Sequence, residues 1–405
     1  MSSPQTADRA APGPGTSARP FAAPALAVTG TLVVGQLYAI LPVLGPVAAD
    51  WGTDDSTAAW AVTAFAIAYA AGFLVWGPAA DRCGPRRVIL LGIPATALLT
   101  LMVPLAPAAA PGLALRALQG FAAASFAPAA FGYIATHIPV RRRVTAITWL
   151  TTCFLASTVI GQLAAQAVGQ AAGWRWVFFA GAACLAAAAL LLRLVLAPDQ
   201  TPADTASQAP GTIASLLRTP GLPALYGTTA TVLFGLVAVY SGLELAGPDG
   251  PAPDGPAPDT GALLAMRAGG LPVMFAVPLL SGVLAGFTPK ARIRASLAGA
   301  ALCAALLAPL AGTGPLATGV LLAVLAGCVT VASPALVQAI GERAKGAGAT
   351  ALYTFVLFIG AGTGPQLAAA LSAGGFTTVA LGASAVLALG CALSLIPPRR
   401  PGQGA

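Results

Sequence analysis

Residues 77–87 read Gly77-Pro78-Ala79-Ala80-Asp81-Arg82-Cys83-Gly84-Pro85-Arg86-Arg87, and the stretch after them, VILLGIPATALLTLMVPLAP over residues 88–107, carries no charge. A turn with clustered arginines set against such a run suits a lipid bilayer, whose hydrocarbon core takes about 20 apolar residues to cross while cations stay at the interface. A second run of this kind spans Phe376 to Ile396. Composition agrees over the whole chain. Of 405 residues, 57% are hydrophobic and 8% charged, against roughly 25% charged in a soluble domain. Mean hydropathy is +0.84. A soluble chain of this length has far too little charge here to cover its surface.

The net charge of +8 would suggest nucleic acid in a soluble protein. Here the cations sit in short loops, so membrane topology accounts for them and no nucleic-acid partner is expected. The six cysteines (Cys83, Cys153, Cys184, Cys303, Cys328 and Cys391) show no ligand spacing and read as small packing residues. No P-loop, metal cluster, haem motif or nucleophile arrangement is present in the sequence, so no cofactor, no metal and no enzymatic activity are expected.

Residues 1–21, rich in Pro, Ala and Ser, read as a disordered cytoplasmic N-terminus. The apolar run after them is too long for the core of a signal peptide and reads as a retained first helix. Six helices are expected near 24–48, 57–78, 88–107, 112–137, 145–169 and 174–196, forming a bundle over 22–197. A polar linker follows over 198–220. Six more are expected near 222–245, 261–286, 293–311, 316–340, 347–371 and 376–396, a bundle over 221–397, with a tail over 398–405. Alternate loops hold Arg82, Arg86 and Arg87, then Arg141, Arg142 and Arg143, then Lys290, Arg292 and Arg294, then Arg343 and Lys345. The other side has Arg175 alone and gathers acids such as Asp50, Asp54 and Asp254. The positive-inside rule then places both termini in the cytoplasm. The excess of Ala, Gly, Pro and Arg suggests a bacterium with a GC-rich genome, hence a multi-pass protein of the bacterial cytoplasmic membrane.

The halves resemble each other at an offset of about 204 residues. Gly77 and Asp81 correspond to Gly282 and Gly286, Ala127-Pro128-Ala129 to Ser333-Pro334-Ala335, and Gly161 to Gly364. Repeats of this kind are typical of secondary transporters, whose substrate site lies between the halves near the midplane. The expected fold is therefore all-α and membrane-embedded, about twelve transmembrane helices in two pseudo-symmetric six-helix bundles.

The stretch 77–87 resembles the loop signature of the major facilitator superfamily, Gly-x-Leu-Ala-Asp-Arg-x-Gly-Arg followed by Lys or Arg. Leu115-Arg116-Ala117-Leu118-Gln119-Gly120 is similar to that family's second motif, Arg-x-x-Gln-Gly. Gly173-Trp174-Arg175-Trp176 resembles the start of its sixth helix. The resemblance covers about residues 22–397 and is strongest to the twelve-helix drug and metabolite:proton antiporter branch. It implies alternating access, a small organic molecule exported against protons, and a monomer. It also implies a cytoplasmic gate of Gly77, Asp81, Arg82, Gly84, Arg86 and Arg87, in which Asp81 accepts from a neighbouring helix N-terminus or pairs with a cation, and in which Asp81 and Arg82 form a charge latch. Arg116 is implicated in proton coupling by the same resemblance; alternatively it snorkels to the outer interface.

The family's helix-five pattern, Gly-x-x-x-Gly-Pro-x-x-Gly-Gly, survives there only as Gly161, while Gly360, Gly364 and Pro365 in helix eleven make a better copy for close helix packing. Gln162, Gln166 and Gln170 share one face of helix five and either line the substrate path or bond a neighbouring helix. Gln36, Tyr38, Gln119 and Gln366 are further cavity candidates. Helix one has no carboxylate except Asp50 at its outer end, so the remaining proton-coupling candidates are Asp50, Glu244 and a Glu244–Arg267 pair, and substrates are expected to be neutral or anionic. His137, the one histidine, is either a relay or an interfacial residue. An uptake or symport member of the same superfamily is the nearest alternative. A membrane-bound enzyme or a non-transporting receptor would need a polar catalytic cluster or a sizeable soluble part.

Overall fold

The computed structural model describes residues 21–199, 213–245, 265, 268–310, 315–344 and 347–396. Most of the N-terminal segment, most of the linker, the C-terminal tail, Arg267 and the Glu244 side chain lie outside the described residues. The chain is helical, with no strand among the described residues. In a bilayer every backbone N–H and C=O must be satisfied within its own segment, and a helix does this.

The helices are α1 (Ala22–Tyr38), α2 (Leu44–Asp50), α3 (Asp55–Cys83), α4 (Pro85–Met102), α5 (Ala109–Ala123), α6 (Phe126–His137), α7 (Val140–Ala172), α8 (Trp174–Val195), α9 (Ile213–Arg218), α10 (Leu222–Leu245), α11 (Leu271–Leu279), α12 (Ser281–Leu284), α13 (Pro289–Leu310), α14 (Pro315–Gly341), α15 (Ala347–Leu371) and α16 (Gly375–Leu395). Among the described residues, 10 helical stretches are long and apolar enough to cross a membrane, the first running from Ala22 to Asp50.

Four of the expected helices differ in where they end or break. The second expected helix continues to Cys83, because Pro78 is absorbed inside it and only Gly84, at φ +91°, turns the chain. Asp81 and Arg82 therefore sit on the last helical turn rather than in a loop. The fourth expected helix is two pieces, α5 and α6. Pro128 has no N–H for the Ala124 carbonyl and its ring crowds that carbonyl, which parts the helix at the Ala124–Ser125 step. The expected helix near 261–286 is described only from 265 and 268 onward and breaks at Leu280, beside Pro278. The first expected helix breaks as well, with a 3₁₀ turn at Leu41–Val43 between α1 and α2.

Packing repeats between the two halves. In the first, α1 lies along α7, α4 along α8 and α3 along α5; in the second, α10 lies along α15, α13 along α16 and α11 along α14. The halves meet where α3 packs on α15 and where α7 packs on α11 and α14. Glycines set the tightest crossings. A Cβ on Gly161 would stand 2.9 Å from the Gly35 carbonyl oxygen, and one on Gly364 would stand 2.9 Å from the Phe234 carbonyl oxygen. A Cβ on Gly360 would run into the Ala230 carbonyl. Small residues that let helix backbones touch are the usual means of association in lipid, where apolar burial offers little. One large set of buried residues runs through both halves. A second set (Ala39, Ile40, Val43, Val47, Trp51, Ala61, Val103, Ala106, Ala165, Trp174, Val177 and Phe178) is drawn wholly from the first half, at the end away from Asp81.

Candidate functional site

At the basic ends of the helices, α3 reaches across to the second half. The Gly348 N–H in the first turn of α15 donates to Asp81 Oδ2 at 3.0 Å. A helix N-terminus has unpaired N–H groups and a positive dipole end, so a carboxylate is the natural partner. Of the two roles open to Asp81 from sequence, the structure shows the helix N-terminus. Arg82 is exposed and makes no hydrogen bond to another described residue. Close by, the Thr145 and Ser281 hydroxyls lie 3.2 Å apart, joining α7 to α12. Further in, Tyr69 of α3 meets Phe358 of α15 edge-on with ring centroids 5.0 Å apart, and Trp149 of α7 lies 6.3 Å from Phe275 of α11. The two halves are thus closed against each other at this end.

The rest of the 77–87 stretch is tied within its own half. Asp199, just after α8, accepts from the Arg86 N–H at 3.1 Å and the Arg87 N–H at 3.2 Å, capping α4. Gly84 is required twice over, for its positive φ and because a Cβ would run into the Asp199 carboxylate. Arg86 Nε donates to the Leu196 carbonyl at 3.1 Å, and the Ala197 N–H donates to the Tyr133 hydroxyl at 2.9 Å. His137 stacks on Tyr133 at 4.2 Å, and its Nε2 lies 3.2 Å from the Pro198 carbonyl oxygen. It is buried against the segment leaving α8, not placed at an open interface.

Arg116 is wholly buried, which excludes the snorkelling alternative. Its Nε donates to the Ala61 carbonyl at 3.2 Å, Nη1 to the Gln36 carbonyl at 3.1 Å and to Gln119 Oε1 at 2.6 Å, and Nη2 to the Leu37 carbonyl at 3.3 Å. The Phe65 ring lies 4.5 Å from its Cζ. Gln36 and Leu37 end α1, so the guanidinium satisfies carbonyls left open by the break in the first transmembrane segment. Gln119 is locked in turn, its Nε2 donating to Thr100 Oγ1 at 2.6 Å and approaching Gln36 Oε1 at 3.5 Å. Gln36 and Gln119 therefore belong to a buried hydrogen-bond network around Arg116.

Of the other cavity candidates, Tyr38 is half-buried, Gln162 and Gln166 are partly exposed, and Gln170 and Gln366 are exposed. Gln162 Nε2 donates at 2.6 Å to the Thr158 carbonyl of its own helix. Asp50 pairs with Arg175 Nη1 at 2.5 Å and also accepts from Trp174 Nε1, while Arg175 Nε reaches the Pro104 carbonyl at 3.3 Å. This clasp ties together the ends, remote from Asp81, of three membrane-spanning segments of the first half. The residues sequence reasoning passed over are Asp199, Thr100, Tyr69 and Phe358. The acid after a helix end and the hydroxyl within one were visible as residue types, but their partners are distant in sequence.

The profile of the Major Facilitator Superfamily matches residues 26–344. The chain is 31% identical over 190 residues to the multidrug resistance protein B homolog of Mycobacterium tuberculosis, covering 46% of this chain and 33% of that one. It is 30% identical over 165 residues to a puromycin resistance protein of Streptomyces alboniger, covering 40% and 33%. It is 31% identical over 184 residues to the gallate transporter of Pseudomonas putida, covering 45% and 41%. The matched part spans a third or less of the first of these curated relatives. With a profile match over most of its length, and with the Asp81 and Arg116 motifs placed as described, this multi-pass membrane protein belongs to the Major Facilitator Superfamily.

Proposed function

We propose that the chain is a secondary active transporter that exports a small organic molecule across the bacterial cytoplasmic membrane against protons, by alternating access. The carrying observation is the Asp81–Gly348 hydrogen bond, a carboxylate of one half holding a helix N-terminus of the other. A single polar contact of that kind suits halves that also separate. Twelve crossings in two bundles, over 22–197 and 221–397 with a linker at 198–220, are supported by the repeated helix pairings and by counting the broken α5–α6 and α11–α12 as one crossing each. Both termini then lie in the cytoplasm with the basic helix ends, and the arrangement described is closed on that side. Resistance proteins among the relatives support export of drugs or metabolites.

Asp and Glu residues whose side chains are described lie at helix ends (Asp50, Asp54, Asp81, Asp199, Glu342), whereas Arg116 lies deep inside. This supports neutral or anionic cargo over cations. Arg116 is the leading proton-coupling residue, with Asp50, Glu244 and Arg267 as further candidates. Proton-coupled uptake is the second reading, favoured by the gallate transporter among the relatives. Counterflow of candidate aromatic acids and antibiotics in inverted vesicles, with and without an uncoupler, tests both. Export predicts uncoupler-sensitive accumulation inside the inverted vesicles. Accumulation only in right-side-out vesicles would transfer the assignment to uptake, and no counterflow with any cargo class would count against transport.

A further inference from the structure

The N-terminus of α4 in the first half is occupied by an internal anion, Asp199, which accepts from the Arg86 and Arg87 N–H groups. Arg86 also bonds the Leu196 carbonyl beyond the end of α8. In the second half the matching helix start, that of α13, is capped by Thr288, whose hydroxyl accepts from the Ala291 N–H at 3.2 Å. Arg294 Nη2 donates to the Ser394 carbonyl near the end of α16 at 3.2 Å. Beside it is a cavity of about 150 Å³ bordered by Lys290, Arg294 and Arg343, with Leu225, Ile293 and Leu395 supplying an apolar wall. No acid lines it. The sequence over 397–405, which follows α16, contains two arginines and no Asp or Glu. Glu342 is exposed and is not among the lining residues.

These cations have donors to spare. Arg343 Nη1 serves the Ala339 carbonyl of its own helix, and Arg294 uses one N–H on Ser394. Arg294 Nε is buried and has no hydrogen-bond partner. A buried cationic N–H without an acceptor is costly, and several donors converging on one cavity fit an oxyanion. Leu395 and Ile396, at 56% and 53% exposure, continue the rim as an apolar surface at a membrane-facing helix end.

We propose that the cavity formed by Lys290, Arg294 and Arg343 binds a phosphate-bearing anion. Its source is either an anionic phospholipid headgroup of the adjacent leaflet or a soluble phosphate ester. The test uses the delipidated full chain in detergent and follows its unfolding midpoint while short-chain phosphatidylglycerol, phosphatidylcholine or glycerol 1-phosphate is titrated in. Phosphatidylglycerol should raise the midpoint saturably and phosphatidylcholine should not. Lys290→Gln and Arg343→Gln should each weaken the apparent affinity about fivefold, whereas Arg141→Gln, an equal charge loss at an exposed site elsewhere on that end, should leave it unchanged. An equal shift with glycerol 1-phosphate assigns the site to soluble esters, and a shift with phosphatidylglycerol alone assigns it to lipid; both support it. Equal shifts with the two lipids, or affinities indifferent to Lys290 and Arg343, would overturn it and leave the arginines as caps of helix C-termini.

Discussion

Arg116 is held by four oxygens and an aromatic face with no carboxylate among its bonding partners. Its removal strands the Gln36 and Leu37 carbonyls in a dry interior, at a penalty of about 1–3 kcal/mol for each buried group left unmade. Arg116→Gln should lower the unfolding midpoint in detergent and abolish transport. Arg116→Lys should keep the charge but lose most activity, because a single ammonium does not span acceptors on α1, α3 and α5. Full activity in Arg116→Lys would reduce the guanidinium to a point charge. Asp199→Ala should cost about 1 kcal/mol, the usual worth of an N-terminal helix cap, read as a lowered midpoint that Asp199→Asn partly restores. The Arg-x-x-Gln spacing made Arg116 and Gln119 legible in the sequence, since residues three apart share a helix face. Asp199 was not legible as a cap, because the α4 N–H groups that it serves lie 113 and 112 positions earlier.

Among the elements, α7 and α15 carry the crossings that Gly161, Gly360 and Gly364 permit. Gly360→Val should be the most damaging, since its Cβ would enter the Ala230 carbonyl of α10. A loss of about 1–3 kcal/mol or outright failure to assemble is expected, read as the monodisperse fraction in size-exclusion chromatography. Gly362→Ala on the same helix meets nothing within 4 Å and should be silent. Apolar runs made the existence of these helices legible, as did the glycine correspondence between the halves. Their ends were less so. Pro78 looked like a stop but is carried inside α3, while Pro128 accompanies a break and Pro334, in the matching position, lies within an unbroken α14. The difference lies in what each neighbourhood offers the freed carbonyl, a tertiary matter that no local spacing encodes.

For the molecule as a whole, closure at the basic end rests on a few polar contacts over aromatic packing. A Thr145→Cys, Ser281→Cys pair, where the native hydroxyls lie 3.2 Å apart, should cross-link readily under mild oxidation and stop transport until reduced. Adding Asp81→Ala should slow that cross-linking about two- to fivefold, the worth of one carboxylate on a helix N-terminus. Unchanged cross-linking would mean that the aromatic contacts alone hold this end.

The buried set running from Ala39 to Phe178 has the opposite character, for every member comes from one half. Under the proposed alternating access, nothing oily in it would be unzipped as the halves tilt, so that jaw would swing as a solid piece, braced by Asp50 and Arg175. The mechanical work of the proposed cycle would then fall on the other mouth, where Asp81 meets Gly348.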